Sequence, residues 1–218
     1  MQRRLVHLGC GPLATKTAWE DFDGSWNLRF SKLPSFVRLA IKKLLFASNE
    51  YQWPSHVKYL NLTRRFPFKD DSVDAIYASH VWEHLYFEEA QFATFQCFRV
   101  LKQGGVLRLA VPGLNHFIEQ YVQAENRSTA ALKLNEQLLY RELHRPKSLL
   151  KRAYQSMADF HSHKYMYDPE ALVDLLNSAG FQNVRQQRCF ESAIPEIREV
   201  EKPSRVSDQD GIVVEAIK

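Results

Sequence analysis

Cysteine is scarce and badly placed for metal or disulfide work. Cys10, Cys97 and Cys189 are the only three in 218 residues and form no Cys-x-x-Cys pair. This excludes a cysteine zinc site and a disulfide-stapled scaffold and points to a reducing compartment. No run approaches the ~18 consecutive apolar residues of a membrane span. Met1 leads at once into Arg3, Arg4 and an apolar strand without a signal-type apolar region, so the cytoplasm is the expected location. A third glycine is missing from the Gly9-x-Gly11 turn, Gly24 coming too late, which disfavours a nicotinamide dinucleotide site. A strong charge excess is missing too. The net charge of +4 is spread over small groups such as Arg38, Lys42 and Lys43 or Arg64 and Arg65, the pattern of solvated helix faces rather than of a nucleic-acid groove. Neither repeats nor low-complexity segments occur.

What remains is an ordinary globular composition, 45% hydrophobic, in a chain long enough for one domain over residues 1–218 that buries ~70% of its unfolded surface. Its organising stretch is LVHLGCGP. Leu5 to Leu8 reads as a short buried strand, and Gly9-Cys10-Gly11-Pro12 as the turn ending it. Two glycines there let bare backbone approach a ligand, because no Cβ stands in the way. Trp19 to Asp23 reads as a second strand ending in a carboxylate before the breaker Gly24-Ser25, and a carboxylate at that strand tip suits the two vicinal hydroxyls of a ribose. Asp23 follows Gly11 by only 12 residues rather than ~20, so the intervening helix must be very short or absent.

Residues 33–46 carry apolar side chains at helical spacing. Val57 to Leu62 reads as a third strand and Val73 to Ser79 as a fourth. His80 to Leu85 leaves the carboxyl end of the fourth strand, where open α/β sheets keep their ligands. Phe87 to Leu101 reads as a helix apolar around much of its circumference, closed by Gly104-Gly105, with a fifth strand over Val106 to Val111. Fifty largely polar, helical residues from Asn115 to Tyr165 exceed a crossover helix and read as a lid inserted over the sheet edge. Asp168-Pro169-Glu170 starts a helix that Gly180 ends, and Val184 to Phe190 and Ile212 to Ile217 close the chain as strands, with a mobile loop expected between them. Strands alternating with helices before a final strand pair mark an α/β fold with a mostly parallel sheet.

In this order the motifs LVHLGCGP, WEDFDGSWN, FPFKDDSVDAIYASHVWEHL, FRVLKQGGVLRLAVPGL and HKYMYDPEALVDLLNSAGF resemble the class I S-adenosylmethionine-dependent methyltransferases, most closely the small bacterial type 11 group. The resemblance implies a seven-stranded doubly wound, Rossmann-like sheet of order 3-2-1-4-5-7-6 with strand seven antiparallel, and a monomer or loose dimer. It also implies S-adenosylmethionine as cofactor, held by Gly9 and Gly11 at the methionine part, Asp23 on the ribose, and Asn61 and Leu62 at the adenine. Ser79 and His80 would lie beside the methyl group. His7 stands at a cofactor-contacting position where the family commonly has an acidic residue, and Asn61 where it often has Asp.

Methyl transfer is an in-line displacement, for which a hydroxyl acceptor needs a base. His80, His84 and His163 are the candidates, with His161 beside them in sequence. The fourth strand does not end in the Asn/Asp-Pro-Pro-aromatic motif of amide and base methylases, and no Pro-Cys nucleophile occurs, which disfavours DNA. A small-molecule or sugar/lipid-linked acceptor is expected. Two other readings compete. One is a non-catalytic nucleoside- or partner-binding protein on the same fold. The other, more remote, is zinc hydrolysis through His80-x-x-Glu83-His84, which requires those residues inside one helix. They follow a strand directly, so no metal is expected.

Overall fold

The computed structural model describes residues 3–12, 14, 16–39, 53–139, 162–206 and 211–218. A seven-stranded sheet runs in the order β3-β2-β1-β4-β5-β7-β6. Its strands are β1 (Leu5–Leu8), β2 (Trp19–Asp23), β3 (Lys58–Tyr59), β4 (Val73–Ser79), β5 (Leu101–Pro112), β6 (Gln182–Gln186) and β7 (Gly211–Ile217). β1 to β5 pair in parallel, and β7 runs antiparallel to both β5 and β6. The expected order is therefore the observed one. Between β1 and β2 no described residue is helical, as the short Gly11–Asp23 spacing requires.

The continuous apolar runs are the central strands. β1 is buried at every position and β4 at all but Asp74, as strands covered on both faces must be. One face, built from Val6, Leu8, Ile76, Ala78, Leu107 and Leu109, packs with helices α2 (Phe87–Val100) and α5 (Pro169–Ser178). Asp168 caps α5 by accepting the Ala171 N–H at 2.7 Å, with Pro169 at the first helical position. Gly180 ends the helix at φ +103°, and a Cβ there would stand 2.9 Å from the Phe98 ring.

The other face carries Leu5, Trp19, Ala75, Tyr77 and Val106 and is covered by Ile194 and Ile197 of the loop joining β6 to β7. That loop is a strap, held by short 3-10 turns at Pro195–Glu199 and Pro203–Arg205. Arg108, buried on this face, fastens it. Its guanidinium donates to both oxygens of Glu201 at 2.8 and 2.9 Å, to Glu215 at 3.0 Å, and to the carbonyls of Arg188 and Glu191. The Phe190 and Ala193 N–H groups satisfy the same carboxylates.

Several boundaries differ from expectation. Helix α1 (Trp26–Ser31) follows Ser25, whose hydroxyl accepts the Leu28 N–H, so the expected breaker is a helix cap. Residues 35–39 are helical, but 40–46, the rest of the expected helix, lie outside the described residues. β3 pairs over two residues rather than six. α2 passes directly into β5 at Leu101, so Gly104-Gly105 sits inside the strand. α2 is also exposed at Phe92 (37%) and Phe95 (53%), not sandwiched. β6 starts two residues early and is irregular between Gln182 and Arg185. The insertion begins with α3 (Leu114–Gln123) and α4 (Arg127–Leu139), neither of which has a buried residue, and 140–161 lie outside the described residues.

Candidate active site

The carboxyl ends of the parallel strands open into a cavity of about 670 Å³. In sheet order its wall takes Asn61 and Leu62 after β3, Asp23 at the tip of β2, Gly9 after β1, His80 and Val81 after β4, Pro112 of β5 and Gly211 of β7. Phe117 of α3, Gln137 of α4, His163, and Ser204 and Arg205 of the strap complete it. This is the switch-point crevice that an open α/β sheet offers to a ligand, at a volume usual for small-molecule sites.

The glycine turn is built as a cradle. Gly9 and Gly11 both have positive φ, +67° and +71°. A Cβ on Gly9 would lie 2.2 Å from Cγ2 of Val81, so Gly9 serves a close approach to the loop after β4. A Cβ on Gly11 would meet no atom within 4 Å, which leaves open space beside that backbone. Asp23 ties the turn together: its carboxylate accepts the Gly11 N–H at 3.2 Å and the Ser25 N–H at 2.8 Å. Each oxygen keeps further acceptor capacity, and Asp23 lines the cavity. Cys10, within the turn, is buried, and desolvation together with the nearby Asp23 and Asp21 pushes its thiol well above the usual range, so it is no nucleophile.

Three sequence candidates are missing from the cavity lining: His7, Gly11 and Ser79. His7 is buried on the strap face, with Nδ1 2.9 Å from Asp21 and its ring 5.3 Å from Tyr77, because alternation along β1 puts it opposite Leu8. That placement corrects its expected cofactor contact. Ser79 is buried and its carbonyl accepts from Arg205 at 3.2 Å. The Asn61 side-chain oxygen is taken by the N–H and hydroxyl of Thr63, both at 2.9 Å, so it shapes the loop after β3.

The three candidate histidines converge on one corner. His80 has φ +55°, the left-handed conformation that His tolerates better than most. Its Nε2 donates to the Arg205 carbonyl at 2.8 Å and its Nδ1 lies 3.2 Å from Glu83. Burial works against the charged ring, but the adjacent Glu83 carboxylate and the Arg205 carbonyl outweigh it and raise the pKa above the ordinary value. Both of its nitrogens face oxygen acceptors, an arrangement that favours the charged ring over a free base. His163 goes the other way. Burial holds its pKa down, helped by His84 and opposed by Glu83, so this ring stays neutral. The His84 and His163 rings lie 5.1 Å apart. His80 to Leu85 forms a 3-10 turn at Trp82–His84, not the helix a zinc hydrolase motif needs. His161 lies outside the described residues.

Sequence reasoning missed Phe117, Gln137, Ser204 and Arg205. Phe117 was legible only as one apolar helix position, and Arg205 sits in a charged loop more than a hundred residues from the strand it touches.

Residues 36–109 match the sequence model of the family described as "Methyltransferase domain", type 11. The segment begins after the glycine turn, takes in β3 and β4, and ends within β5. No curated protein matches the chain. Similar solved structures include an S-adenosylmethionine-dependent methyltransferase from Archaeoglobus fulgidus, at 16% identity over 99% of this chain and 86% of that one, TM-score 0.49. The YcgJ protein from Bacillus subtilis is 15% identical over 100% of this chain and 92% of its own, TM-score 0.47. Residues 36–109 carry the sequence of a methyltransferase domain, and the strand order of the chain is that of the class I methyltransferase fold.

Proposed function

We propose that this chain transfers a methyl group from S-adenosylmethionine to a small-molecule or sugar/lipid-linked acceptor. The observation that carries the reading is the single cavity that joins the Asp23-tied glycine turn over β1 and β2 to the polar histidine corner after β4. When bound, the cofactor supplies an electrophilic methyl on a sulfonium.

The division of labour follows sheet order. Asp23 binds the ribose hydroxyls, and Phe22, Leu60 and Leu62 offer an apolar wall for the adenine. The Gly9–Val81 contact sets the distance between the cofactor side and the acceptor side. Over β4, β5 and β7, Phe117 and Leu85 exclude water, Arg205 meets an anionic group, and His84 and His163 face the acceptor atom. Holding nucleophile and methyl in line in a dry site accounts for most of the acceleration such a displacement needs. The segment 115–165, through Phe117, Gln137 and His163, then selects the acceptor as a lid.

Calorimetric titration with S-adenosylmethionine, S-adenosylhomocysteine and NAD tests the cofactor. Binding of the two sulfur nucleosides with Kd on the order of micromolar, and none of NAD, is expected. Transfer of labelled methyl to a panel of hydroxyl and amine acceptors then separates an enzyme from a non-catalytic binding protein, which would take up the nucleosides without turnover.

Asp23→Ala is expected to weaken nucleoside binding by about 1.5–3 kcal/mol, through loss of charge-assisted bonds to the ribose and of the anchor on the Gly11 N–H. Equal affinity in wild type and variant by the same titration would remove Asp23 from the site.

A further inference from the structure

We propose that Glu83, His84 and His163 form a binding site for a divalent cation of the zinc class in the acceptor corner of the cavity. Among the described residues these three bring their donor atoms together, all within 4.8 Å of one another. The independent observation is Glu83. Its side chain is fully buried, yet neither carboxylate oxygen accepts a hydrogen bond. A buried carboxylate is costly without a partner. The His80 ring at 3.2 Å offsets its charge on one side only.

The surroundings are those of a metal ligand set. The His84 Nδ1 lies 3.3 Å from the Ser162 carbonyl, to which it donates, a contact of the kind that orients a metal-ligating histidine, and its Nε2 lies 3.9 Å from Glu83 Oε1. The Lys164 and Tyr165 N–H groups donate to the Glu83 carbonyl at 2.6 and 3.2 Å, which clamps the segment carrying His163 against the turn carrying the other two. Two imidazoles and a carboxylate suit a borderline cation such as Zn²⁺, whose donors draw in to ~2.0–2.2 Å from the ion. His84 and His163 also line the cavity, so a fourth position opens onto it, as in catalytic rather than closed structural sites. The sequence pattern His80-x-x-Glu83-His84 supplied two of these ligands. Its third member, His80, is spent on the Arg205 carbonyl, and His163 takes its place from 83 residues downstream.

The binding stands whether or not the cavity takes S-adenosylmethionine. Its consequence for catalysis rests on the methyl-transfer reading: the cation would hold an acceptor oxygen and lower its pKa, making a separate base unnecessary.

The test is titration of the chelator-stripped full chain with Zn²⁺ alone by calorimetry, and with Co²⁺ by visible absorption, in wild type, His163→Ala, Glu83→Gln and the control His116→Ala. The expected result is one equivalent bound by wild type and control, a Co²⁺ spectrum of nitrogen and oxygen ligands, and a loss in His163→Ala beyond the ~10–100-fold of a missing supporting residue. Half-exposed His163 is the deciding variant if Glu83→Gln fails to fold by circular dichroism. No stoichiometric binding by folded wild type, binding that His163→Ala leaves intact, or a thiolate charge-transfer band overturns the site.

Discussion

Arg108→Met lowers the unfolding free energy by about 3–5 kcal/mol, the cost of leaving buried carboxylates without their cation. In this chain the effect has two parts. Glu201 and Glu215 stay buried, at 3% and 4% exposure, and keep only the Phe190 and Ala193 N–H groups and the Ser192 hydroxyl as donors. The strap also loses the two carbonyl contacts at Arg188 and Glu191 that hold it on the sheet. Against a usual domain stability of ~5–15 kcal/mol, such a loss is a large share of the total. Urea denaturation of the variant measures it. The triple variant Arg108→Met, Glu201→Gln, Glu215→Gln removes the stranded charges and should recover much of the loss. A single variant as stable as wild type would mean the strap is held by its apolar residues alone. Because Ser204 and Arg205 reach the cavity from the same strap, the single variant should also bind ligands more weakly than its stability alone explains.

Gly9→Ala has the second large effect. The new Cβ would stand 2.2 Å from Val81 Cγ2, and the backbone at φ +67° disfavours any L side chain. Overpacking costs about 1–3 kcal/mol and the left-handed conformation ~1–2 kcal/mol, so the sum approaches that of Arg108→Met. The two contributions separate in Gly9→Ala, Val81→Ala, where the nearest remaining Val81 atom is Cβ at 3.4 Å. The double variant should regain the packing part and keep the backbone part. Gly11→Ala carries only the backbone part, since nothing lies within 4 Å of its Cβ. Equal stabilities for Gly9→Ala and Gly11→Ala would refute the contact between the turn and the loop after β4.

The strands buried on both faces were legible because such burial writes a dense apolar run: Leu5 to Leu8, broken only by His7, and Val73 to Ser79, broken by Asp74, need no partner to be recognised. β3 was overread because Val57, Tyr59, Leu60 and Leu62 give the segment strand-like residues, yet only Lys58 and Tyr59 find a neighbour in β2. α1 was missed because Ser25 after a glycine looks like a breaker until its hydroxyl is seen on the Leu28 N–H. Asp23 was legible from its strand-tip position. His7 was misplaced because position in a motif does not say which face of the strand a side chain takes, and Asp21 across the register claims it. The strap was illegible for a physical reason. Polar residues such as Arg108, Glu201 and Glu215 read as surface, and only the fold brings their charges together under cover. The metal-like corner was half legible, since two donors are adjacent in sequence while the third arrives through the tertiary clamp on Glu83.

The two outer strands bear on how copies of the chain meet. β3 offers a two-residue edge whose Lys58 is engaged by Glu20, and β6 is exposed, irregular and carries Arg185. Neither is the long flat template on which a second sheet grows. Association between copies therefore cannot run by extending the sheet into a continuous array, and a high-concentration solution of the folded chain should resist fibril formation seeded at its edges.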